Sequence, residues 1–186
     1  VNPWEPLPPT SQATAGKETK RERHSWQGPT ILAQNHASAN NRPTSAGFVT
    51  GGGWINSPEG AYTANSSLTG KSNFGFNCKY QQGGGIPTGE IEFNFKEANL
   101  KLHGTSYEWL VISGAQATFR GEGTINGQGL YNFQVTVIDA DVDENDSYHE
   151  DLFRFKIWDD SSGSEVVIYD SGFILLGGGS IKIHLS

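Results

Sequence analysis

The chain has 186 residues, room for one domain with a substantial core plus an appendage. Its 24 glycines, 8 prolines and 11% aromatic residues, with no methionine, favour short strands and tight turns over long helices. A net charge of −7 lacks the basic footprint that a nucleic-acid partner demands, and no stretch approaches the roughly 20 apolar residues of a membrane-spanning helix.

Residues 1–46 differ in kind from the rest and are expected to form an extended N-terminal arm. Val1-Asn2-Pro3-Trp4-Glu5-Pro6-Leu7-Pro8-Pro9 is proline-rich, residues 17–23 are a charge cluster, and residues 35–45 are polar. So few apolar side chains do not offset the entropy of ordering a core. The exceptions are Trp4, Leu7, Trp26, Ile31 and Leu32, and each tryptophan ring has about 200 Å² to bury. These five are the expected subunit-interface residues, docking on a neighbouring copy while residues 30–34 add a strand to an exposed sheet edge. Lys17, Lys20, Arg21, Arg23 and Arg42 outnumber Glu5, Glu18 and Glu22, which leaves the excess negative charge on the body and favours that docking. A chain that starts at Val1 and has no methionine is also expected to have lost a leader peptide on export.

Residues 47–186 read as strands. Phe74, Phe76, Cys78 and Tyr80 alternate with Gly75, Asn77 and Lys79, which puts the apolar set on one face. Glu90, Glu92, Asn94 and Lys96 alternate with Ile91, Phe93 and Phe95, and Leu100 and Leu102 open a further strand. Residues 107–112, 115–123, 131–140, 152–158, 165–169 and 180–185 follow, punctuated by turn signals such as Asn126-Gly127 and Asp160-Ser161-Ser162-Gly163. The expectation is all-β: an antiparallel β-sandwich, jelly-roll or immunoglobulin-like, of about nine strands.

Several short motifs stand in order along this body. They are Gly51-Gly52-Gly53-Trp54-Ile55, Leu68-Thr69-Gly70-Lys71-Ser72-Asn73-Phe74-Gly75-Phe76, Pro87-Thr88-Gly89 and Ser106-Tyr107-Glu108-Trp109-Leu110-Val111. Gly121-Glu122-Gly123-Thr124-Ile125-Asn126-Gly127 and Phe153-Arg154-Phe155-Lys156-Ile157-Trp158-Asp159 complete them. Over residues 47–170 the chain resembles the post-choice-of-anchor domain family of bacterial secreted and surface proteins. The resemblance implies an extracellular β-module with no established catalytic activity. The arm, the enlarged acidic loop and Cys78 depart from that pattern.

The densest chemistry is Asp139, Asp141, Asp143 and Asp146, with Glu144, Glu150 and Asp151 beside them. Carboxylates this close repel, and a hard divalent cation relieves the repulsion, so Ca²⁺ is the candidate cofactor; a solvated acidic loop is the alternative. Cys78, the single cysteine, sits on the apolar face, where a neutral thiol is favoured over a nucleophile. His24, His36, His103, His149 and His184 are scattered without ligand spacing. Glu90 and Glu92 share a strand face about 7 Å apart, which suits a glycosidase pair but is read as surface alternation. The runs Gly51-Gly52-Gly53, Gly83-Gly84-Gly85 and Gly177-Gly178-Gly179 lack the Lys-Ser/Thr and the helix of a phosphate loop, and read as turns between strands. Trp158 alternates with Phe153, Phe155 and Ile157 and is expected to be the exposed tryptophan, a candidate platform for a sugar ring.

The functional expectation is a non-enzymatic extracellular structural subunit whose partners are copies of itself, assembled through the arm into a filament or matrix. The alternative is a carbohydrate-binding or adhesive module whose partner is a polysaccharide.

Overall fold

The computed structural model describes residues 47–81, 85–142 and 149–185. The arm residues Trp4, Leu7, Trp26, Ile31 and Leu32, together with Asp143 and Asp146, lie outside them. The described body is antiparallel β, with strands β1 (Phe48–Ser57), β2 (Gly70–Tyr80), β3 (Pro87–Phe95), β4 (Leu100–Ser113) and β5 (Gln116–Ile125). These are followed by β6 (Gln128–Ile138), β7 (Leu152–Asp159), β8 (Val166–Asp170), β9 (Ile174–Leu175) and β10 (Gly178–His184). No helix among the described residues is long and apolar enough to cross a membrane.

The sheet runs β10-β1-β2-β3-β4-β5-β6-β7-β8, with β9 paired to β7. It is a meander with one strand returning to its start, in place of the crossed connections of a jelly roll or immunoglobulin fold. Short turns explain this order. At the β5–β6 hairpin, Asn126 and Gly127 both take positive φ (53° and 76°), which matches a tight turn to the twist of its strands.

The sheet then folds over on itself into a sandwich. Phe74 of β2 stacks on Phe153 of β7 with ring centroids 4.0 Å apart, and Phe93 of β3 meets Phe155 of β7 at 4.5 Å and Tyr169 of β8 at 4.9 Å. These strands are not sheet neighbours, so the contacts cross between layers. The fold-over happens along β4, whose pairing with β5 shifts register between Gly104 and Ser106 and again between Tyr107 and Trp109. Bulges there sharpen the bend. Backbone crowding beside them requires glycine: a Cβ on Gly121 would lie 2.0 Å from the Ser106 carbonyl oxygen. Between the layers, Ser57 of β1 shares hydrogen bonds with Ser72 at 2.5 Å and with the Tyr169 hydroxyl at 2.6 Å, which satisfies three buried hydroxyls.

Two readings of the glycine runs need correction. Gly51-Gly52-Gly53 is the middle of β1, and Gly178 and Gly179 begin β10, so neither run is a linking turn. A Cβ on Gly53 would lie 2.2 Å from the Gly178 carbonyl oxygen, and one on Gly51 would lie 2.4 Å from the Phe76 ring. Close approach of backbone and ring, rather than turning, is what these positions need.

Both edge strands are covered. On β8, the segment before β2 supplies a bridge from Tyr62 to Tyr169, flanked by Thr63 N–H donating to the Ile168 carbonyl and Asp170 N–H donating to the Ala61 carbonyl. On β10, the N–H groups of Ile181 and Ile183 donate to the carboxylates of Asp151 and Asp139, each at 2.7 Å. A strand added at either edge would have to displace these partners.

Candidate functional site

Strand alternation sends Phe74, Phe76, Cys78, Ile91 and Phe93 into the core, and so presents Asn73, Gly75, Asn77, Glu90, Glu92 and Asn94 on the outer face of β2 and β3. These six line a depression of about 520 Å³. Register orders them into rows across the sheet. Trp54, Asn73, Asn94 and Lys101 form one row, Gly52, Gly75, Glu92 and His103 the next, and Thr50, Asn77 and Glu90 the third.

The middle row makes the depression a trough. Gly52 and Gly75 are direct cross-strand partners, so two adjacent floor positions lack side chains. A Cβ on Gly75 would meet no heavy atom within 4 Å, and one on Gly52 only the Phe74 carbonyl oxygen at 3.9 Å. Unlike Gly51, Gly53 or Gly121, neither glycine is required by packing. Interior glycine weakens a strand on a scale of about 1 kcal/mol, so the bare floor costs stability without serving the fold.

The walls are amides and carboxylates. Glu92 is bracketed by Lys101 Nζ and His103 Nδ1, each at 3.5 Å. Glu90 makes no hydrogen bond or ion pair with the described residues. Trp54 stands at the end of the first row. One side of its ring packs on the backbone of Gly177 and Gly178, where added Cβ atoms would lie 2.1 and 2.8 Å away, and Lys71 Nζ sits 4.4 Å from the ring centroid. Vicinal hydroxyl groups are the natural complement of such a surface, because amides both donate and accept while carboxylates accept.

The other expected sites are arranged differently. Trp158 is 4% exposed, which corrects its reading as an open platform. Its ring is covered by Arg120 at 4.8 Å and Lys156 at 5.3 Å, and these are held in turn by Glu108 at 3.1 Å and Glu165 at 2.5 Å. Long side chains lie along the ring and cover it, and the one from Arg120 on β5 is a contact that alternation does not reveal.

Asp139 and Asp141, the described half of the candidate calcium set, already have partners. Asp139 is fully buried and accepts the N–H groups of Ile183 and Asp141, while Asp141 pairs with Lys182. Among the described residues, no group of three His, Cys, Asp or Glu side chains is arranged to hold a metal ion. Cys78 is a buried free thiol, as its strand position implies, and burial pushes its pKa up to about 12.

No known protein family, curated protein or solved structure matches the chain. The sequence reads Glu90 and Glu92 as plain surface alternation, and the structure sets both along the trough. The signal within β2 is Gly75 between Asn73 and Asn77 on its polar face; its partner Gly52 carries none.

Proposed function

We propose that the protein is a non-catalytic carbohydrate-binding β-domain that works outside the cell and holds a glycan in the trough over β2 and β3. The observation that carries this reading is the pair of opposed glycines, Gly52 and Gly75, whose empty Cβ positions open a floor between walls of amides and carboxylates. A glycan of two or three sugars laid along that floor meets the Asn73, Asn77 and Asn94 amides and the two glutamates with its hydroxyl groups. The site has the parts for holding rather than cleaving. A glycosidase acid needs a carboxyl kept protonated by burial, whereas Glu90 and Glu92 are both exposed. What supports the extracellular part of the proposal is the resemblance of the body's motifs to secreted bacterial β-modules.

The test is glycan-array binding of the full chain and its Gly75→Trp variant. The added indole meets no atom of the fold at its Cβ and fills the floor. We expect glycan binding by the wild type and its loss in the variant, with the thermal transition retained. Binding to no glycan, or equal binding by the filled variant, would overturn the reading.

A further inference from the structure

The rows across the sheet give the trough a direction. Gly52 pairs on one side with Gly75 and on the other with Ser180 of β10, an exposed position on the same outer face. Three small residues therefore lie side by side on neighbouring strands. Two strand spacings of about 4.8 Å make this floor about 10 Å long. The rows beside it form its sides, Trp54 and Asn73 in one and Thr50 and Asn77 in the other.

The two ends of this floor differ. β10 is the last strand of the sheet, so no further strand raises side chains beyond Ser180. At the other end, Glu92 and then His103 follow Gly75 in the same row, and Lys101 meets Glu92 from the neighbouring row. All three side chains are more than half exposed, and both cations lie 3.5 Å from the carboxylate, so together they stand across the line of the floor. A carboxylate accepts hydrogen bonds and donates none, and Glu92 therefore suits a hydroxyl group at that closed end. An oxygen tied into a glycosidic bond has no proton to offer it. The sugar at the end of a chain has a free hydroxyl group where each internal sugar carries that bond.

We propose that the trough takes the end of a glycan chain. The terminal sugar lies on Gly75 with a hydroxyl group donating to Glu92, and the rest of the chain leaves over Gly52 and Ser180. This rests on the carbohydrate-binding reading above and narrows it. Lys101 and His103 hold the receiving carboxylate in place, and the bond it accepts is charge-assisted.

Calorimetric titration of the full chain tests this with β-1,4-linked gluco-, manno- and xylo-hexaose, and with short and long fractions of soluble glucomannan and xylan. We expect a hexaose to bind, and the polymer of the same sugar to take up one copy of the protein per chain at either length. Glu92→Ala should weaken the hexaose at least about tenfold, the worth of one charge-assisted hydrogen bond, and Gly75→Trp should abolish its binding. Uptake that rises with polymer length, or an unchanged hexaose affinity in Glu92→Ala, would overturn recognition of the chain end while leaving the trough as a glycan site. If no hexaose or polymer binds, or if Gly75→Trp binds as the wild type does, the trough reading itself fails and this inference with it.

Discussion

The buried carboxylate of Asp139 accepts the backbone N–H of Ile183 at 2.7 Å, across 44 residues of sequence. Asp151 does the same for Ile181, so two carboxylates from the β6–β7 connection hold the outer side of β10 where a further strand would otherwise pair. We expect Asp139→Ala to destabilise the fold by about 2–3 kcal/mol, the range for a buried donor losing a charged acceptor. Urea denaturation measures the loss, and amide exchange locates it at Ile181 and Ile183. Unchanged exchange at those amides would show that the carboxylates do not hold the edge.

Cys78 tests the strand assignment. With its thiol buried and its pKa raised to about 12 by burial, a thiol reagent at neutral pH should label the native protein no faster than it unfolds. Denaturant should make labelling immediate. Rapid labelling without denaturant would mean that β2 does not present Cys78 to the core.

Asp170 couples stability to pH. Burial by itself raises this carboxyl, but hydrogen bonds from Arg154 and the Gly172 N–H, with the attraction of Arg154 and Lys156, outweigh it and hold the group below the usual carboxylate range. A carboxyl depressed in the folded state contributes stability above its unfolded pKa, and that contribution is lost as pH falls through the folded value. Asp170→Asn should therefore be less stable than wild type at neutral pH, and the gap should narrow below about pH 4. Urea midpoints across that range supply the check, and a gap independent of pH would contradict the ion-pair account.

The glycines of β1 and β2 separate packing from function. Gly75→Thr places a β-branched residue where nothing crowds its Cβ, and should raise stability by up to about 1 kcal/mol. Gly53→Ala drives a methyl toward the Gly178 carbonyl oxygen and should lower stability by about 1–3 kcal/mol. Thermal melts of the two variants should move in opposite directions. Destabilisation by Gly75→Thr would mean that the bare floor serves the fold after all.

The sequence by itself determined the all-β class and the inward face of β2 and β3, because the period-two alternation of Phe74, Phe76, Cys78 and of Ile91, Phe93, Phe95 is a local property of an extended chain. It also determined the Asn126-Gly127 turn, since the positive φ that both residues take there is a local preference. Register and folding over were decided only in the tertiary structure. That Gly52 faces Gly75, and so opens a trough, follows from the pairing of β1 with β2, and β1 itself is hidden in a sequence whose glycines carry no alternation to read. Trp158 has the parity of an exposed residue; Lys156 lies over its ring from two residues back on the same strand, but Arg120 reaches it from β5 only in the folded sheet. The dense acidic run reads locally as a cation site because like charges repel. What that reading does not contain is the Ile183 N–H that Asp139 accepts from an edge strand at the far end of the chain, a partner that exists only once the sheet has folded over and brought β10 beside it.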